Sequence, residues 1–177
     1  MNIWHDIGAD RITPESFVAV VEISKGGKAK YELDKSTGLL RLDRILFTSM
    51  HYPANYGFIP RTYADDLDPL DVLVLCSESI LPLTLINCHP IGVLKMIDDG
   101  EVDEKIIAVC SNDPFYNPYT DIRQLPAHVF DEIRHFYEVY KALEKKETMV
   151  QQIEDSAQAR LAIRKSLDAY DRVFAGN

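Results

Sequence analysis

The chain is short of positive charge: 19 Lys and Arg stand against 28 Asp and Glu, a formal charge of −9. Binding a phosphate backbone asks for a basic surface, so nucleic acid is excluded as the main partner, and an anionic membrane surface with it. Long hydrophobic runs are also missing, and no stretch approaches the roughly 20 apolar residues that span a bilayer. The start, Met1-Asn2-Ile3-Trp4-His5-Asp6, lacks the basic residues and apolar core of a secretion signal. Cysteine is scarce. Cys76, Cys88 and Cys110 form no CxxC pair and sit among apolar neighbours, which reads as reduced core thiols in a cytoplasmic protein. No GxxxxGK[ST] is present and Gly26-Gly27 opens no helix, so a P-loop nucleotide site is excluded. The five histidines show no zinc-type spacing and receive no role. What remains, 46% apolar and 27% charged residues over 177 positions, is the composition of one soluble globular domain, residues 1–177, without linker or repeat.

The first two-thirds reads as β and the last third as α. Strands are expected over 17–23, 29–34, 39–47, 72–75, 90–97 and 105–110, from β-branched or alternating runs separated by turn signals such as Lys25-Gly26-Gly27 and Ser36-Thr37-Gly38. Asp98 to Glu104 reads as an acidic hairpin loop. Val129, Phe130, Ile133, Phe136, Tyr137, Tyr140 and Leu143 recur at helical spacing. A second helix is expected from Ser156, with Asp155 as its start signal and Leu161, Leu167, Tyr170 and Phe174 as its buried stripe. Strands first and helices after give an α+β fold, a curled sheet or barrel with helices against it.

The densest chemical signal is Asp65-Asp66-Leu67-Asp68-Pro69-Leu70-Asp71. Asp66 and Asp68 share a parity in extended chain, and Pro69 can bend the backbone so that Asp71 joins them. Converging carboxylates repel, and a hard divalent ion, Mg²⁺ above all, relieves that. The competing reading is an acidic turn capped by its own side chains. An EF-hand is excluded by the spacing. Asp98 and Asp103 would face each other across the second acidic segment, with Lys105 next to them.

Lone charges inside apolar strands are a further signal. Glu22 shares a face with Val18 and Val20, where a carboxylate is costly unless paired. Lys30 and Glu32 lie together on the next strand, and Arg44 follows Leu40 and Leu42 in parity. Cross-strand ion pairs explain any one of these; together they suggest a lined cavity. Tyr140 has helical core spacing, with Lys141 beside it. Carboxylates with interspersed Lys, Arg and Tyr suit a site that holds metal ions and a multiply charged phosphate, and carries out phosphoryl transfer to water.

In these motifs the chain resembles the soluble family I inorganic pyrophosphatases. Asp66-Leu67-Asp68-Pro69-Leu70-Asp71 matches the family's Asp-x-Asp-Pro-x-Asp signature. Glu22-Ile23, Lys30-Tyr31-Glu32, Asp43-Arg44, Tyr52-Pro53-Ala54-Asn55-Tyr56-Gly57, Gly92-Val93-Leu94-Lys95-Met96 with Asp98, Asp103-x-Lys105 and Tyr140-Lys141 follow in order. The resemblance implies a five-stranded OB-like β-barrel with packed C-terminal α-helices, a homohexamer, and hydrolysis of pyrophosphate to two orthophosphates with Mg²⁺. By matched position, Asp66, Asp71 and Asp103 are the main metal ligands, and Asp98 helps hold a further ion. Asp68 is the general base, and Glu22 and Glu32 act at the metal site's edge. Lys30, Arg44, Tyr56, Tyr140 and Lys141 grip phosphate oxygens, and Lys105 supports the leaving group or the ligands.

Two departures stand out. Leu67 occupies a position usually small or polar, and strand alternation should aim it away from the metals. Glu147 and Thr148 stand where many bacterial members place Lys and Trp, so an accessory lysine contact is lost unless Lys146 shifts to replace it. A nucleoside di- or triphosphate or tripolyphosphate hydrolase with the same metal logic, needing a base pocket near Tyr116 and Tyr119, and a non-catalytic OB-like binding module are the alternatives.

Overall fold

The computed structural model describes residues 2–174. Among them the chain forms eight strands and two α-helices: β1 (Phe17–Ile23), β2 (Ala29–Asp34), β3 (Leu39–Ile45), β4 (Asn55–Phe58), β5 (Asp71–Leu75), β6 (Leu85–Asp98), β7 (Glu101–Cys110), α1 (Ala127–Val139), β8 (Thr148–Asp155) and α2 (Ser156–Phe174). The large sheet runs β1-β4-β5-β7-β6-β8, and β1 also pairs with β6, so five strands close on themselves and β8 is added outside. Closure removes the exposed edges of those strands. β2 and β3 form a separate hairpin. The α+β barrel with C-terminal helices is therefore what the chain builds.

Alternation along the strands splits the core in two. Val72 and Val74 of β5 and Ile106 and Ala108 of β7 face one cluster, which Ala159, Ala162 and Ile163 of α2 cover. Leu73, Leu75, Ile107 and Val109 face the other, which Ile133, Phe136 and Tyr137 of α1 cover. Gly57 allows β4 to approach β1: a Cβ there would lie 1.8 Å from the Val20 carbonyl oxygen.

Several expected boundaries are corrected. β4 and β8 lie where no strand was expected. The acidic loop shrinks to Asp99-Gly100, both with positive φ (53° and 90°), the conformation of a tight two-residue hairpin turn. Asp98 is consequently the register partner of Glu101, and Asp103 opposes Met96. α1 ends at Val139, leaving Leu143 67% exposed in the short 3-10 turn that follows. In α2, Leu161 is 59% exposed, because Ala159, Ala162 and Ile163 take the buried face. Asp155 does start that helix, accepting from the amides of Ala157 and Gln158. The three cysteines are free and buried.

Candidate active site

The alternation that builds the α1-side core also builds the site. Asp71 precedes Leu73 and Leu75 at the same parity. Asp103 and Lys105 likewise precede Ile107 and Val109, and Asp98 follows Leu94 and Met96. Three strands thus carry polar groups to the rim of one apolar stripe, where a cavity of about 650 Å³ opens. Glu22, Lys30, Glu32, Tyr56, Asp66, Asp68, Asp71, Asp98, Asp103, Lys105, Tyr140 and Lys141 all line it.

Asp66 and Asp68 reach the cavity differently from the parity argument. Residues 64–68 form a turn in which the Leu67 amide donates to the Ala64 carbonyl (3.1 Å) and the Ala64 amide to the Asp68 carbonyl (2.8 Å). Leu67 sits in the left-handed region, φ 68°, and its side chain is 59% exposed. It points away from the carboxylates because of this turn, since no strand is present there to alternate. Glu22 falls where the β1–β4 register shifts between Val21 and Ile23; its carboxylate accepts from the Leu33 amide at 2.9 Å.

Ammonium groups hold the carboxylates. Lys105 Nζ donates to Asp71 (2.6 Å) and lies 3.0 Å from Asp103. Lys141 donates to Asp98 Oδ2 at 2.5 Å, where the Tyr140 hydroxyl also donates (3.2 Å). Lys30 pairs with Glu32 and with Asp43. Arg44 is the exception among the expected residues. It is not on the cavity wall; its guanidinium turns to Asp43 (2.5 Å) and to Glu144 (2.8 Å) in the turn after α1. Its buried Nη2 has no hydrogen-bond partner. Lys146 does not reach the cavity wall either. Lys35, Ser36 and Arg41 of the β2–β3 hairpin do line it; sequence reading missed them because turn and hairpin residues are exposed and carry no apolar periodicity.

Electrostatics marks the same place. Burial, and then repulsion from Asp71, pushes the Glu22 carboxyl up to about 8. Burial and Asp71 raise Asp66 to about 6. Burial raises Asp103 too, against the pull of Lys105. Lys105 is buried, which disfavours its charge, yet Asp103 and Asp71 prevail and hold it well above the ordinary lysine value. Asp98 Oδ1 is buried without a partner. Among the described residues no trio of His, Cys, Asp or Glu is spaced to hold an ion as it stands. The donor set is nonetheless right for a hard cation: all oxygen and crowded, with Glu22, Asp66 and Asp103 raised by burial first and by neighbouring carboxylates second, and with one orphaned oxygen.

The family model for inorganic pyrophosphatase matches residues 19–171. The chain belongs to the inorganic pyrophosphatase family. A soluble inorganic pyrophosphatase of Solanum tuberosum is 53% identical over 94% of this chain and 79% of its own length; one from Arabidopsis thaliana is 52% identical with the same coverage. Among solved structures, the inorganic pyrophosphatase of Thermus thermophilus superposes with a TM-score of 0.91 at 36% identity, covering 97% of this chain and 99% of that one. That of Helicobacter pylori gives 0.89 at 38%, covering 94% and 99%. The family's acidic signature in this chain is the 64–68 turn with the first residue of β5.

Proposed function

We infer that this chain hydrolyses pyrophosphate to two orthophosphates in the cavity between the barrel, the β2–β3 hairpin and the turn after α1. One observation supports this site: eight carboxylates, Glu22, Glu32, Asp34, Asp66, Asp68, Asp71, Asp98 and Asp103, line the cavity with four lysines, Lys30, Lys35, Lys105 and Lys141. A divalent ion, Mg²⁺ in our reading, offsets the charge of phosphate and lowers the pKa of water when bound. Asp66, Asp71 and Asp103 would hold it, with Asp98 beside Asp103 for a further ion and Glu22 and Glu32 at the edge. Asp68 accepts the proton of the attacking water. Lys30, Lys141, Tyr56 and Tyr140 bind phosphate oxygens, and Lys105 steadies Asp71 and Asp103. Arg44 joins them only by leaving Glu144.

The family resemblance supports a homohexamer, and the three free, buried cysteines support a cytoplasmic setting. Among the described residues no helix is long and apolar enough to cross a membrane. The functional test is phosphate release with Mg²⁺ from pyrophosphate, ATP and tripolyphosphate side by side. Fast release from pyrophosphate alone is expected. Release mainly from ATP would move the substrate assignment to nucleotides, and no release from any would leave a binding module.

A further inference from the structure

The acidic turn is gripped from outside the barrel. Lys35, at the tip of the β2–β3 hairpin, donates to the Leu67 carbonyl at 3.1 Å and lies 2.5 Å from Asp68 Oδ1. The other side of the same peptide is also held, since the Asp68 amide donates to Asp66 Oδ1 at 3.1 Å. The peptide between Leu67 and Asp68 is therefore fixed at both its C=O and its N–H.

The hairpin tip is itself well defined. Asp34 Oδ1 accepts from the Ser36 amide (2.9 Å) and hydroxyl (2.6 Å), and Gly38, at φ 72°, returns its amide to the Asp34 carbonyl at 2.8 Å. The Lys35 ammonium also lies 5.8 Å from the Trp4 ring centroid, a cation–π distance. The lysine is thus aimed by its turn and supported by an aromatic face.

We propose that Lys35 is a positioning residue for the reaction. It orients the Leu67–Asp68 peptide and hence the Asp68 carboxylate, and its ammonium competes with a divalent ion for that carboxylate. This rests on Asp68 being the base. The pair is about half exposed on both sides (46% and 51%), so solvent screens it and its contribution to stability is small. Its value lies in orientation, where a misplacement on the order of 1 Å costs up to ~10²-fold in rate.

The test compares the parent with Lys35→Met, Lys35→Arg and a control, Lys165→Met. Lys165 pairs with Asp65 at 2.7 Å, one residue from Asp66 but off the main cavity, so its removal deletes the same charge nearby without touching Asp68. Thermal stability, kcat and KM for pyrophosphate, and Mg²⁺ binding to substrate-free protein by calorimetry are measured on each. Lys35→Met is expected to keep the melting temperature and KM, to lose about tenfold in kcat, and to bind Mg²⁺ several-fold more tightly. Lys35→Arg should recover most of kcat, and Lys165→Met should match the parent throughout. Parental kcat and Mg²⁺ affinity in Lys35→Met would overturn the proposal. So would equal tightening of Mg²⁺ in both Met variants, which is a diffuse charge effect, or a kcat loss that follows a fall in melting temperature and is not rescued by Arg. An inactive parent would remove the underlying reaction, while the isotherms would still decide whether Lys35 competes for the cation.

Discussion

Lys105 stands directly beside Asp71 in the parallel register of β5 and β7, and its ammonium donates to that carboxylate at 2.6 Å. The Asp103 carboxylate lies 3.0 Å away on its other side, and the lysine side chain is only 4% exposed. A cation built into the strand pairing therefore offsets the charge of two crowded carboxylates in folded protein without metal. Lys105→Met leaves both uncompensated and is expected to cost about 3–5 kcal/mol in urea unfolding of metal-free protein. Divalent ions should restore part of that loss, since they bind the folded state alone. An unchanged unfolding midpoint would show that the carboxylates escape by protonation.

Glu22 sets a pH dependence. Its folded pKa, raised to about 8 by burial and by Asp71, lies above the 4.5 of a free carboxyl. For a raised acid, the folded state binds the proton more tightly than the unfolded one. The associated stability is complete below about 4.5 and lost as pH rises through about 8. Asp66 adds the same sign over a lower window, from 3.8 to about 6. Metal-free protein should therefore melt at progressively lower temperature from about pH 5 to pH 8.5, and Glu22→Gln should flatten the upper part of that slope. A melting temperature rising over the same range would show that Glu22 is ionised and paired.

Leu67 is strained where it stands. A left-handed conformation costs an L-residue about 1–2 kcal/mol, and with 59% of the side chain exposed little burial offsets it. Leu67→Gly should stabilise the protein by up to about 1 kcal/mol after the entropy of glycine in the unfolded chain. Chemical denaturation checks this. Destabilisation would mean that the leucine side chain makes a contact the turn depends on.

The sequence was most readable where chemistry and periodicity coincide. Asp71, Asp98, Asp103 and Lys105 share parity with buried Leu, Ile, Val and Met neighbours, so alternation alone places them on one face. It was least readable where the backbone leaves that alternation. Asp66 and Asp68 converge through a left-handed residue, and Glu22 lies at a register shift; parity gave them the right company for the wrong reason. β8 stayed hidden because Thr148–Asp155 is mostly polar and buries only Val150 fully; its pairing with β6 decides its state. Arg44 followed Leu40 and Leu42 in parity, yet Glu144, about a hundred residues away, draws its guanidinium off the cavity wall, and such a tertiary ion pair leaves no local trace.

The central claim is that the Asp66–Asp71 turn supplies the base for pyrophosphate hydrolysis. Its most direct test is phosphate release from pyrophosphate by Asp68→Asn beside the parent, both shown to be folded by circular dichroism and loaded with Mg²⁺. Loss of a general base costs about 10²–10⁴-fold, so kcat should fall within that range while the fold persists. Near-parental turnover in a folded Asp68→Asn protein would contradict the account and pass the proton to another carboxylate on the wall.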